Sequence, residues 1–223
     1  MQRTPEPELM DGLEQARAYA AADFSAGDQA LVDHLGVLFP SGLGSRLLDL
    51  GCGPGNISFR LAAQYPEAEV IGVDGAAAML ALAEQRLQAQ ISPSLRKRLR
   101  FQLCCLPSTE LPQACTAVVS NSLLHHLHDP QVLWGCLPHC AAPGSLFYLK
   151  DLRRPVSPEE AIALQQRHLA DAPPVLQYDY LASLHAAFTV AEVQAQLELV
   201  GLADQLQVAA LDDRYLEVWG RLF

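Results

Sequence analysis

The sequence predicts an α/β fold, a mostly parallel sheet with helices on both faces and an antiparallel hairpin at its C-terminal edge. Three observations carry that prediction. Short apolar runs of strand character alternate with helix-forming runs through residues 46–149; the first of them ends in a glycine-rich turn, LLDLGCGPGNIS at residues 47–58; and two late strand-like runs are joined by a short turn. Strand–helix alternation implies parallel pairing, because a crossover helix returns the chain to the same end of the sheet. Sheets of this kind hold their ligands at the carboxyl ends of the strands.

Taken in order, Arg46–Leu50 is a short buried strand, and Asn56–Tyr65 is a helix that must end before Pro66. Glu69–Val73 (EVIGV) is strand-like, and Ala76–Ala89 is rich in strong helix formers. Leu99–Leu103 and Ala117–Ser120 are two further strands. Asp129-Pro130 supplies an N-cap and a first-turn proline for a helix reaching about Cys140, and Ser145–Leu149 is a fifth strand after the turn Pro143-Gly144. Ser157-Pro158-Glu159-Glu160 and Thr189-Val190-Ala191-Glu192 have capping-box spacing, and the second helix stops at Gly201. Leu206–Ala210 and Tyr215–Gly220 form the hairpin around Asp212-Asp213. One domain over residues 1–223 is expected, with 1–40 as an N-terminal helical cap. Residues 152–188, longer than a crossover needs, are expected to fold over the ligand crevice as a lid.

Half of the 223 residues are hydrophobic and 18% are charged, which suits a compact domain. Twenty-five acidic against 15 basic residues give a net charge of −10, which repels phosphate backbones and argues against a nucleic-acid partner. The one basic run, Arg96–Arg100, reads as a solvated loop leading into a strand. Six cysteines without a C-x-x-C pair are reduced thiols in a cytoplasmic protein on this reading. The polar, proline-bearing start MQRTPEPELMDG is not expected to act as a signal peptide, and no apolar run approaches the roughly 20 residues of a membrane span. His125, His126, His128, Asp129, Cys136, His139 and Cys140 show no recognised zinc spacing, so no metal is expected.

The glycine turn narrows the ligand. A triphosphate loop needs a Lys-Ser/Thr pair after its glycines, which is missing, and a dinucleotide fingerprint needs a glycine where Asn56 stands. Asp49, two residues before the first glycine, would repel a phosphate and attract an ammonium group.

Asp49 with Gly51, Gly53 and Gly55 resembles the D-x-G-x-G-x-G first motif of the class I, Rossmann-like S-adenosylmethionine-dependent methyltransferases. The likeness continues through EVIGVDGAAAML (Glu69–Leu80), where Asp74 ends the second strand, and VVSNSLLHHLHDP (Val118–Pro130), and covers about Tyr19 to the C-terminus. It implies a three-layer, seven-stranded methyltransferase fold and S-adenosyl-L-methionine as cofactor, with S-adenosyl-L-homocysteine as product. By the same resemblance Tyr19, Asp49, Gly51, Cys52, Gly53, Gly55, Asp74, Gly75, Met79, Cys105, Leu106, Asn121 and Ser122 hold that cofactor. Asp49 and the glycines would take its methionine part, and Asp74 both ribose hydroxyls. Cys105 stands where relatives commonly meet the adenine amino group with an aspartate. Either backbone around Cys105 and Leu106 with apolar packing holds the adenine, or the cofactor is atypical.

Methyl transfer from a sulfonium needs positioning, exclusion of water, and a base where the acceptor carries a proton. His125, in an L-H-x-x-x-D context similar to that of some small-molecule O-methyltransferases, is the expected base, with His126 beside it. Asp151, Arg153 and Arg154 leave the fifth strand toward the crevice and are expected to bind acceptor, as are Tyr178 and Tyr180 of the insertion. The expected function is methylation of a small metabolite, favouring oxygen of an anionic one, by a monomer or homodimer. The alternatives are an RNA or protein methyltransferase, an adenosyl-cofactor-binding protein that does not methylate, and an NAD-dependent oxidoreductase.

Overall fold

The computed structural model describes residues 1–10, 12–90 and 92–223. Seven strands form one sheet: β1 (Arg46–Leu50), β2 (Glu69–Asp74), β3 (Leu99–Leu103), β4 (Cys115–Asn121), β5 (Ala141–Leu152), β6 (Leu206–Ala210) and β7 (Tyr215–Arg221). Their order is β3-β2-β1-β4-β5-β7-β6. β1 through β5 pair in parallel, and β7 runs antiparallel to β5 and β6. Leu47 through Leu50 are all buried, as a central strand covered on both faces requires.

Alternation along the strands builds two cores. Leu47, Val70, Leu146 and Tyr148 face α2 (Ser25–Leu38) and α3 (Asn56–Gln64) through Leu31, Leu35, Ile57 and Leu61. Leu48, Ile71, Phe147 and Leu149 face α6 (Gln131–Cys140) and α9 (Val190–Leu199) through Trp134, Leu137 and Leu197. Each such leucine is worth about 1.5–3 kcal/mol of burial. α9 begins in a complete capping box: Glu192 N donates to Thr189 Oγ1 at 3.2 Å, and Thr189 N donates to Glu192 Oε2 at 2.8 Å. No helix among the described residues is long and apolar enough to cross a membrane.

Two expectations change. The basic run is not a loop, because Pro93–Arg98 forms helix α5, started by Ser92, whose Oγ accepts from Leu95 N at 3.4 Å. Its three basic residues fall in the last turn, where the helix dipole favours them. Pro143-Gly144 does not precede β5 but lies inside it, in a register shift against β4 where Gly144 takes φ +76°.

The N-terminal residues divide into an arm and two helices, α1 (Leu13–Ala21) and α2. The arm is tied across the molecule. Arg3 donates to the carbonyls of Ala186 (2.5 Å), His125 (3.1 Å) and Leu127 (2.9 Å), and Thr4 N donates to His185 O at 2.9 Å. Residues 152–188 carry α7 (Pro158–Leu169) and α8 (Pro174–Ala186), which pack through Leu152, Ala161, Leu164 and Leu184.

Candidate active site

The carboxyl ends of β1, β2, β4 and β5 open into a cavity of about 640 Å³, walled on its far side by the arm, α1, α2, the α7–α8 region and the β6–β7 turn. The glycine turn forms its floor. Gly51 N and Cys52 N donate to Val73 O at 2.8 and 3.0 Å, folding the turn back onto β2. Gly51 takes φ +76°, and a Cβ there would stand 2.8 Å from Leu123 Cβ, so both its dihedral and its surroundings demand glycine.

Two carboxylates frame the turn. Asp74 accepts from Gly53 N and Ala76 N, each at 2.7 Å. Asp49 is buried and accepts from Ser58 Oγ at 2.5 Å. Burial outweighs the Ser58 bond and pushes Asp49 up to about 7. Across the turn Asn121 Oδ1 is buried without a hydrogen-bond partner. Gly75 is flanked by Leu9 of the arm and by the Cys105 thiol, which would lie 2.8 and 3.0 Å from a Cβ added there.

Past β4, Ser122 turns the chain at φ +58° into a 3-10 turn, Leu124–His126. Asp151 fixes that turn: Oδ2 accepts from Leu124 N at 2.7 Å, and Oδ1 lies 2.5 Å from His125 Nδ1. On the other side of the rings, Glu6 Oε1 of the arm stands 3.5 Å from His125 Nε2 and 3.4 Å from His126 Nδ1. Burial disfavours a charged His125, but Asp151 and then Glu6 outweigh it and hold its pKa above the ordinary value. Burial, then repulsion from His125, pushes His126 down to about 3. Burial raises Glu6, against the pull of His125. The two rings stack at 4.2 Å between centroids, with their proton affinities pushed in opposite directions.

Of the residues expected at a site, the structure brings Tyr19, Asp49, Gly51, Cys52, Gly53, Asp74, Gly75, Met79, Cys105, Leu106, Asn121, Ser122, His125, His126 and Tyr180 to the cavity wall. Gly55 lies behind the turn, where an added Cβ would meet Phe101 at 2.8 Å. Asp151 is buried beneath the histidines and supports them without lining the cavity.

Three expected acceptor contacts are corrected. Arg153 donates to the carbonyls of Asp212 and Asp213 at 3.1 and 3.2 Å and clamps the hairpin turn. Arg154 is buried against Glu192 at 2.5 Å and the Ala187 carbonyl at 3.0 Å, where it braces the α9 capping box. Tyr178 is 74% exposed on the outer face of α8. The cavity's lining cations beside the histidines are instead Lys150 and Arg214, whose charged ends lie 4.4 and 4.8 Å from the centroid of the Tyr215 ring. Sequence reasoning passed over both, and over Glu6. Strand alternation held the signal for Lys150, which shares a face with Tyr148 and Leu152, whereas Asp151 and Arg153 take the other.

Residues 47–142 match a methyltransferase-domain family model. The chain is 37% identical over 99 residues to a trans-aconitate 2-methyltransferase of Methylobacterium radiotolerans, an alignment covering 44% of this chain and 35% of that protein. It is 34% identical over 106 residues to the trans-aconitate 2-methyltransferase of Variovorax paradoxus, covering 48% and 38%. The match thus spans little more than a third of these relatives' length. Among solved structures, the plantazolicin methyltransferase BamL, in complex with a triazolic desmethyl analogue and S-adenosylhomocysteine, superposes with a TM-score of 0.69 at 14% identity, covering 94% of this chain and 91% of that one. A putative O-methyltransferase of Nostoc punctiforme gives 0.65 at 17% identity, covering 93% and 59%. Residues 47–142 thus resemble a methyltransferase domain in sequence, and the strand order and the solved neighbours give the chain the Rossmann-like fold of S-adenosylmethionine-dependent methyltransferases.

Proposed function

We propose that the protein methylates an oxygen of a small anionic acceptor, with S-adenosylmethionine as donor and a carboxylate as the preferred acceptor group. The observation that carries this reading is a pair of cations, Lys150 and Arg214, lining the same cavity as Asp49 and Asp74 but away from the glycine turn.

The residues present fit the cofactor. Asp49 is a buried carboxylate whose raised pKa an ammonium would reverse, Gly51 admits only backbone at the turn, and Asn121 Oδ1 offers an acceptor without a partner. Asp49 and the Gly51–Gly53 backbone would hold the methionine part, Asp74 the ribose, and Leu9, Gly75, Cys105 and Leu106 the adenine. When bound, the cofactor supplies a methyl group already activated by its sulfonium.

The chain's own work is then to bind, orient and exclude water. Lys150 and Arg214 receive the acceptor's charge, and the arm, α8 and the hairpin turn cover the cavity. A carboxylate acceptor carries no proton at neutral pH and needs no base, so its methylation would rest on positioning. An acceptor hydroxyl would instead need His125 in its neutral form, with Nδ1–H donating to Asp151 and Nε2 free to take the proton. The supporting likeness is to the trans-aconitate 2-methyltransferases, which are named for a small polycarboxylate acceptor.

Incubation with methyl-labelled S-adenosylmethionine and a panel of di- and tricarboxylic acids tests the reading. Label in a product released by mild base, as a methyl ester would be, is expected. Label recovered only in protein or RNA overturns it. One observation favours a second reading, an adenosyl-cofactor-binding protein that does not methylate: Cys105 is exposed where a carboxylate would ordinarily meet the adenine amino group. Mass spectrometry of the co-purifying nucleoside separates the two.

A further inference from the structure

We propose that Glu6, His125 and His126 form a binding site for one divalent transition-metal ion of the zinc class, on the acceptor side of the cavity. One carboxylate oxygen and two imidazole nitrogens, Glu6 Oε1, His125 Nε2 and His126 Nδ1, converge within 4.8 Å of one another. The Glu6 oxygen is 3.5 Å from one nitrogen and 3.4 Å from the other. Atoms bound to a tetrahedral zinc ion at its usual bond lengths stand about 3.4 Å apart; the two measured separations match that spacing, and the two nitrogens lie within 4.8 Å of each other.

Two of the three atoms, Glu6 Oε1 and His126 Nδ1, are buried without a hydrogen-bond partner. Burying a polar group without a partner is costly, and here one ion would relieve both. The support expected beneath a metal site is also in place. His125 Nδ1 lies 2.5 Å from the Asp151 carboxylate, a carboxylate–histidine pairing that leaves the Nε2 lone pair directed at the ion. Asp151 itself is held by Leu124 N and Leu152 N, each at 2.7 Å.

Glu6 is not a loose surface acid that drifted inward. Its side chain is 10% exposed, its carbonyl accepts from His128 Nε2 at 2.8 Å, and Arg3 ties the arm to the carbonyls on either side of His126. The ligand set is one carboxylate and two neutral imidazoles, a combination that zinc and its neighbours bind well and magnesium or calcium do not. Both histidines line the cavity, and an acceptor oxygen reaching the ion from there would be its fourth ligand. That last step rests on the methyl-transfer reading; the ion site itself does not.

Calorimetry of the full chain, stripped with a chelator and titrated with Zn(II), tests the proposal, with Co(II) absorption as a second reading. One ion per chain is expected, with a visible Co(II) ligand-field spectrum. Glu6→Gln should weaken Zn(II) affinity by at least about 10-fold, and His126→Gln should do the same should Glu6→Gln loosen the arm. Glu8→Gln, on the same arm but 47% exposed and outside the cluster, should leave Zn(II) affinity unchanged. Equal Zn(II) binding by the wild type and both ligand variants, or no stoichiometric binding, overturns the site and leaves Glu6 as the ion-pair partner of His125. S-adenosylhomocysteine binding, measured on the same samples, keeps the two readings apart. Its retention without a zinc site sinks the metal proposal alone, and its absence beside an intact zinc site sinks the cofactor assignment alone.

Discussion

The two walls of the cavity are built by opposite means. The wall at β1 and β2 consists of backbone and short carboxylates drawn from two stretches, Asp49–Gly53 and Asp74–Gly75, each continuous in sequence. The wall at β5 is assembled from long side chains on distant segments: Lys150 from the strand, Tyr180 from α8 and Arg214 from the hairpin turn, with Glu6 of the arm behind the histidines. A ligand common to a whole family suits the first construction, because turn geometry fixes it. An acceptor particular to one protein suits the second, because any of its segments can change without disturbing the turn.

The comparison breaks most sharply at the first wall. Gly51→Val would force a branched side chain into φ +76° and against Leu123, and should abolish S-adenosylhomocysteine binding. Asp74→Ala should weaken that binding at least about 100-fold, since two charge-assisted bonds at roughly 1.5–3 kcal/mol each are lost. It also releases Gly53 N and Ala76 N, so the turn itself should loosen. Calorimetry that finds the alanine variant binding like the wild type would remove Asp74 from the cofactor wall.

At the second wall the effect should fall on the acceptor alone. Lys150→Met or Arg214→Met is expected to raise the acceptor KM by about 10–100-fold, the cost of one charge-assisted bond, with S-adenosylhomocysteine affinity unchanged. Arg153→Met sharpens the contrast. Its guanidinium holds the hairpin turn and not the cavity, so it should lower the melting temperature without shifting KM beyond what the turn carries. Were Arg153→Met to match Arg214→Met in KM with no loss of stability, the assignment of the second wall would be wrong.

This contrast also explains what could be read from the chain before its structure. The parallel order of β1 to β5, the hairpin and the glycine turn were legible because each rests on local pattern: apolar runs, a capping box, glycines after a strand. Asp49 and Asp74 were legible for the same reason, being fixed to the ends of β1 and β2. Arg153 and Arg154 misled because proximity to a strand's end says nothing about which face a side chain takes. Arg153 shares the face of Asp151, and Arg154 is claimed by Glu192. Lys150 was hidden inside an apolar strand, where period-2 alternation names its face only once Tyr148 is known to be core. Glu6 had no local signal at all. Its role depends on an arm held by Arg3 against carbonyls contributed by the β4 end and α8, a purely tertiary arrangement.

The smallest expected effect lies in the pH dependence of the first wall, and its sign is fixed by Asp49. The folded-state pKa is raised from 3.8 to about 7, so the folded protein holds a proton that the unfolded chain gives up near pH 4. Asp49 thus contributes stability that is complete below the unfolded pKa and is lost as pH rises through about 7. A ligand ammonium prefers the ionised carboxylate and reverses that loss. S-adenosylhomocysteine affinity should therefore be level above about pH 7 and fall by up to about 10-fold per unit below it, as binding must first expel the proton. The thermal shift produced by the ligand should accordingly be larger at pH 8 than at pH 5.5. Asp49→Asn should bind more weakly and erase the slope. A wild-type affinity constant across that range would mean that the ammonium is held elsewhere, and the carboxylate ahead of the glycine turn would then serve the turn through Ser58 rather than the ligand.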